Sequence, residues 1–256
     1  MNKILSYIGP IFLALVAFLS LSLVSAQAKT TIGVGAGVIP KYEGAKKYKT
    51  QLYPSLNYEK DNFFIGPKLE MPAAGLQAHL ADNWKVGVFG AYTAGRKSRK
   101  DSHLYGMRNI SQHATAGVFS KVDSGDFSFN ITYFHALKEG YGGGLQVGGA
   151  YKLMQTEASA LRIGSTLSWA DNDAMDTNFG VSAGESRASG GRLNAYEASS
   201  GLRSVSIYSA YHHQLSSSWS VNSSIGIKRL TADAADSPIT QRKASVYGGV
   251  GLGYSF

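Results

Sequence analysis

The stretch that decides the fold is the last one, Ala244-Ser-Val-Tyr-Gly-Gly-Val-Gly-Leu-Gly-Tyr-Ser-Phe256. From Val246 onward its residues alternate. Val246, Val250, Leu252, Tyr254 and Phe256 share one face, and Tyr247, Gly249, Gly251, Gly253 and Ser255 share the other. A period of two is the signature of a strand. Here the apolar face ends in an aromatic ring that is also the C-terminus. A soluble sandwich seldom stops a strand that way. A transmembrane barrel does, because its closing strand shows apolar residues to lipid and an aromatic to the interface.

The other end of the chain agrees. Lys3 followed by the apolar run Ile8–Val24 and then Ala26-Gln27-Ala28 has the layout of a secretory signal peptide over 1–28, leaving a domain over 29–256. There is no cysteine, so an exported chain of 256 residues must be held by its own ladder rather than by disulfides. After that run no stretch comes near a transmembrane helix, and mean hydropathy is −0.11. It is what a barrel shows, since only every second residue meets lipid. Thirty glycines and fifteen tyrosines beside 16% charged residues fit alternating strands with aromatic belts. The net charge of +8 sits largely in two loop-like runs, Lys46-Lys47-Tyr48-Lys49 and Arg96-Lys97-Ser98-Arg99-Lys100. An exported protein meets anionic lipid or polysaccharide there, and no nucleic acid is expected as a partner.

Alternation recurs along the chain. Strands are predicted over 30–39, 50–58, 63–70, 75–80, 84–93, 113–122, 127–133, 145–153, 161–169, 202–214, 219–230 and 244–256. Pro54 points to a bulge, and Pro72-Ala-Ala-Gly75 to a break between two strands. Short turns alternate with long loops, the longest being 170–200. The expected fold is all-β, one antiparallel transmembrane β-barrel of about twelve strands, or about ten if 63–70 and 75–80 merge. The short turns 59–62, 81–83, 123–126, 155–159 and 216–218 then face the periplasm and the long loops face outward.

The long loops carry more specific marks. In order they hold Trp169-Ala-Asp171, Asn178-Phe-Gly-Val-Ser182, Glu185-Ser186, Ser189-Gly190, Tyr196 and Arg229-Leu-Thr-Ala-Asp-Ala-Ala-Asp-Ser-Pro-Ile239. Together with Gly35-x-Gly-x-x-Pro40-x-Tyr-x-Gly44, Tyr53-Pro54 and Gly106-Met107, the chain resembles the MipA/OmpV family of outer-membrane proteins over its mature length. The loop with Asp233, Asp236, Ser237 and Pro238 is the most distinctive part. Thr177-Asn178-Phe179 departs from the family, which usually has a second aromatic there. The tail with Val250, Leu252, Tyr254 and Phe256 resembles the signal read by the barrel assembly machinery. The resemblance implies a non-enzymatic barrel in the outer membrane, among outer-membrane lipid and lipopolysaccharide. It also implies scaffolding of a lytic transglycosylase of the MltA type and a bifunctional peptidoglycan synthase in cell-wall growth. Passage of small solutes or antibiotics is the alternative.

Asp236-Ser237 with His103 or His113 could in principle form an acyl-transfer triad, but Asp-Ser-Pro is first a turn sequence. His212 and His213 are strand neighbours that point to opposite faces, and His79 and His135 stand alone, so no metal site is expected. The glycine runs have period two and open no helix, so no cofactor is expected. Inward positions include Lys68, Glu70, Lys85, Lys152, Arg162, Asn222 and Lys228, a polar and mostly cationic lumen whose bore the inward glycines would widen. The loop 170–200 is long enough to block it.

Overall fold

A computed structural model describes residues 30–256. The signal segment expected over 1–28 lies outside the described residues. Twelve strands close into one antiparallel barrel. They are β1 Thr31–Pro40, β2 Tyr48–Lys60, β3 Phe63–Lys68, β4 Met71–Ala81, β5 Trp84–Thr93, β6 His113–Ser124, β7 Phe127–Ala136, β8 Gly143–Gln155, β9 Ser159–Ala170, β10 Gly201–Gln214, β11 Trp219–Leu230 and β12 Ala244–Ser255. Each strand pairs with its sequence neighbours, and β1 closes on β12 in a register running from Thr31–Ser255 to Val38–Gly248. The closing seam is pinned at its lower end by a 2.8 Å hydrogen bond between the hydroxyls of Thr31 and Ser255.

The period-two pattern maps onto the wall. Val246, Val250 and Leu252 on β12 are exposed on the outer face, as are Ile225 and Ile227 on β11 and Ile163 and Leu167 on β9. In water such a surface would drive aggregation, whereas in a bilayer it is the contact with lipid. Aromatics gather at the rim that holds the short turns. Trp219 and Tyr254 meet edge-on at 5.0 Å, Tyr254 and Phe256 at 5.1 Å, and Phe127 and Tyr151 at 4.9 Å.

Three expectations are corrected. Pro54 causes no bulge: the β1–β2 ladder continues unbroken through Val34–Pro54. The ladder from β2 to β3 runs only from Tyr58–Ile65 to Lys60–Phe63, so at Pro54 no β3 residue is paired that would need its missing N–H. Pro72 does not break a strand either. β4 begins at Met71, and the chain reverses one step earlier, at Leu69 and Glu70, both with positive φ (54° and 63°). That is the signature of a two-residue hairpin turn.

The third correction concerns the glycines. Several of them do not widen the bore but seat rings. A Cβ added to Gly226 would lie 2.6 Å from Cζ of Tyr247, and one at Gly164 would meet the ring of Tyr208. Gly35 underlies Tyr53 and Gly117 underlies Phe89 in the same way. These four rings thus lie across the bare backbone of an adjoining strand and fill part of the lumen. Gly226→Val should therefore push the Tyr247 ring off its seat and destabilise the barrel by about 1–3 kcal/mol, the range for overpacking. The measurement is the temperature at which the folded band is lost on an unheated gel, and an unchanged midpoint would refute the seating.

Candidate functional site

Six connections meet at the end opposite the aromatic rim, and the longer ones are not plain loops. The segment between β9 and β10 folds into helices α1 (Asn172–Phe179) and α2 (Ala183–Ala188). The segment between β11 and β12 holds a short helix α3 (Ala232–Asp236), and that between β5 and β6 holds two 3-10 turns, Ser98–Lys100 and Ser102–Leu104. None of these helices was predicted, although their caps are legible. Asp171 accepts from Ala174 N at 2.9 Å and so caps α1. Ser182 and Glu185 form a reciprocal capping box on α2. The apolar content of each segment is too small for a helical period to stand out.

These segments share one dry core. Leu104, Met107, Met175, Phe179, Val181, Leu193, Ala234 and Ile239 are all buried together, with Phe179, Met175 and Ile239 at 0% exposure. Polar groups close around it. Ser237 Oγ donates to the Phe179 carbonyl at 2.5 Å. Tyr42 donates to the Ile239 carbonyl at 3.1 Å, and His103 Nε2 donates to the Pro238 carbonyl at 3.1 Å. Tyr196 donates to the Asp233 carbonyl at 3.0 Å, and Asp233 accepts from Ser199 N at 2.8 Å. Gly106, with φ of 90°, lies directly against the Ser189 backbone. The scattered marks of the sequence (Tyr42, Gly106-Met107, Asp171, Phe179, Ser182, Glu185, Tyr196, Asp233, Ser237) therefore assemble a single object, a cap over the outer mouth.

The same contacts dispose of the triad. Ser237 is buried with its proton on a carbonyl, His103 faces Pro238 rather than Ser237, and Asp236 pairs with Lys243 at 2.7 Å. His113 Nδ1 bonds the Ser111 carbonyl. His212 bonds Asn222 and His213 bonds Ser159, each on its own face.

Arg108 is a clasp in the cap. Its Nη2 meets Asp176 Oδ2 at 2.9 Å, and its backbone N–H donates to Glu185 Oε1 at 2.8 Å. Burial pushes the Glu185 carboxyl up, but hydrogen bonds from Arg108 and Ser182 and the Arg108 charge outweigh it and hold the group below its ordinary value. A carboxylate depressed by folding stabilises fully above its unfolded pKa, about 4.3, and that contribution is lost as pH falls through the lower folded value. Protease protection of 171–200 should accordingly weaken on acidification below about pH 4.3 in the native chain. In Glu185→Gln it should be weaker at pH 7 and lack that acid step. An identical acid profile in both would remove Glu185 from the clasp.

Beneath the cap lies a cavity of about 1050 Å³ lined by loop and upper-strand residues. At its floor Lys228 Nζ stands 3.4 Å from Glu43 and 3.8 Å from Glu70, and Arg203 Nε 3.9 Å from Glu43. Glu70 thus reaches the lumen from the β3–β4 turn, not from a strand. Lys68 caps an aromatic cluster, 3.6 Å from the Phe119 ring centre and 4.7 Å from that of Phe64. Lower down, Lys85 pairs with Glu59 at 2.9 Å, Lys152 with Asp126 at 3.6 Å, and Asn222 with His212 at 2.8 Å. Arg162 keeps a buried Nε without a hydrogen-bond partner. The inward cations are thus largely tied to carboxylates or rings.

A closed antiparallel barrel with an apolar outer face, an aromatic rim and a polar lumen is an outer-membrane protein of a Gram-negative cell, here with its long connections packed on one another at the end opposite that rim. Residues 32–256 match the family described as MltA-interacting protein MipA, and the chain belongs to that family. No curated protein matches the chain. Among solved structures it is similar to the NanC porin (11% identity, TM-score 0.48, covering 90% of this chain and 100% of that one). It is also similar to a bacterial polysaccharide outer membrane secretin (9%, 0.47, 89% and 98%). OmpT of Vibrio cholerae is a third (14%, 0.37, 88% and 76%).

Proposed function

We propose that the protein is a non-enzymatic scaffold of the outer membrane that holds murein-processing enzymes for cell-wall growth. The partners proposed are a lytic transglycosylase of the MltA type and a bifunctional peptidoglycan synthase. The observation that carries this reading is the cap: long connections packed on a dry core of their own suit a barrel used for its surfaces rather than its bore. The family's description, MltA-interacting protein, supports the first partner. A stable interface needs about 800 Å² per partner, which several periplasmic turns together can offer. Asp82 is exposed in one of them, and Asp123 stands at another beside Lys121 and Ser128.

The test is affinity capture after crosslinking in intact cells with the tagged barrel as bait. Enrichment of both enzymes over other outer-membrane proteins, reduced at least severalfold by Asp82→Lys with Asp123→Lys, is expected. No enrichment with the barrel folded and abundant would overturn the scaffold. A second reading, passage of small solutes, is favoured by the cavity under the cap. If the lumen conducts, Arg162→Glu with Lys228→Glu shifts the reversal potential; an unchanged value argues against it.

A further inference from the structure

The cavity beneath the cap carries more positive charge than its own carboxylates balance. Glu43, Glu70 and Asp101 line it, and each is committed. Glu43 is shared by Arg203 and Lys228, and Glu70 meets Lys228. Asp101 accepts from the His103 N–H and faces Lys41 at 3.9 Å. Lys243, also on the lining, pairs with Asp236 at 2.7 Å. With those pairs made, Lys49, Arg96, Lys97 and Lys100 stay on the lining with no ion pair among the described residues. Lys49 and Lys100 stand close enough to repel one another.

Arg96 is the most informative of the four. Its backbone bridges Ile110 across the β5–β6 loop, and its Nη1 donates to the Asn178 carbonyl, in α1, at 2.7 Å. Its Nε and Nη2 are buried and have no hydrogen-bond partner. Those two nitrogens form one edge of the guanidinium, and such an edge takes a carboxylate through two parallel hydrogen bonds. Glu185 and Glu43 act on Arg96 only from beyond ion-pair distance, and burial pushes the guanidinium down to about 10. A charged fork left unpaired in that position is costly until an anion meets it.

The rest of the lining suits hydroxyl groups. Gln112, Gln146 and Ser245 border the same space, and their side chains make no hydrogen bond among the described residues. Amides and a hydroxyl offer donors and acceptors together, as a sugar requires. A volume of about 1050 Å³ is ample for a ligand of a few sugar rings.

We propose that the cavity binds an acidic saccharide, with a carboxylate on the free edge of Arg96, hydroxyls on Gln112, Gln146 and Ser245, and its negative charge held by Lys49, Lys97 and Lys100. The edge is closed over, so the Arg96 side chain turns toward the cavity and gives up the Asn178 carbonyl as the carboxylate arrives. Glu43 and Glu70 keep Arg203 and Lys228, so the cations that meet the ligand are not drawn from that floor. The site requires neither an open bore nor a protein partner, and it stands apart from scaffolding and passage alike.

Calorimetric titration of the refolded full barrel in zwitterionic detergent with a trisaccharide of galacturonic acid tests this, each variant first showing the folded band on an unheated gel. Maltotriose, of the same length but without carboxylates, should bind about tenfold more weakly or worse. Arg96→Lys keeps the charge but loses the fork, and Kd for the acidic trisaccharide should rise about tenfold. Lys49→Gln with Lys97→Gln and Lys100→Gln should raise Kd comparably and flatten its dependence on salt. The proposal is overturned if the native barrel does not bind the acidic trisaccharide, if maltotriose binds as tightly, or if either variant binds like the native barrel. It is equally overturned if Arg187→Gln with Arg229→Gln and Arg242→Gln, which removes three exposed charges away from the cavity, weakens binding as much.

Discussion

Phe179→Ala is expected to open the outer mouth while leaving the barrel folded. Phe179 is fully buried at the centre of the cap, between Met175, Val181 and Ile239, and its carbonyl is the acceptor for Ser237. Truncating a buried phenylalanine costs about 3–5 kcal/mol. That is more than a cap of short helices joined by loops can absorb, since helices of this length have little stability apart from their packing. The barrel has its own continuous ladder, so the loss stays local. Three readouts should move together: rapid proteolysis within 171–200, a conductance step in planar bilayers larger than that of the native protein, and no change in the unheated folded band. If the cap stays protected and the conductance stays at the native level, the cap core is not what closes the mouth.

Lys228→Glu is expected to have the other large effect. Lys228 is the shared partner of Glu43 from the β1–β2 loop and Glu70 from the β3–β4 turn, and it ties both to the β11 wall. Burial pushes the Glu43 carboxyl up, but Arg203 and Lys228 outweigh it and keep it ionised. Reversing the charge gathers three carboxylates with Arg203 and Arg96 left to balance them. The group is partly exposed to the lumen, so the loss is smaller than that of breaking a fully buried pair, whose remaining charge is left wholly uncompensated. The midpoint of unfolding in guanidinium, followed in detergent micelles, should fall. Glu43→Lys in the same chain should recover most of the loss, which a merely steric defect at this position would not allow. Absence of recovery would mean that the pair contributes through shape rather than charge.

Much of this molecule was readable before any coordinates. The faces of β12 and the strand count follow from period two and turn length. The strands Phe63–Lys68 and Met71–Ala81 were separable, but their boundary was misplaced at Pro72. The true turn uses Leu69 and Glu70, residues whose chemistry gives no hint of positive φ. Pro54 misled for a related reason: a proline's cost depends on whether a neighbour needs its N–H, and β3 is too short to reach it.

The lumen and the cap were legible in part only. Strand parity placed Lys68, Lys85, Lys152, Arg162, Asn222 and Lys228 inward, yet it could not say that most of them are committed to Glu43, Glu59, Glu70, Asp126, His212 or a phenylalanine ring. Such pairs join elements distant in the chain, and no local period records them. Glycine behaved likewise. Its alternation marked strands, but only the neighbouring strand decides whether the space above Gly226 is empty or holds Tyr247.

What the sequence determined by itself is therefore the barrel: antiparallel strands, an apolar outer face and a closing seam, each imposed by local patterning against a bilayer that every strand meets in the same way. What only the tertiary structure decided is everything at the outer end. The cap and the cavity arise where loops separated by long stretches of chain meet one another, and a contact between segments is written in neither segment alone.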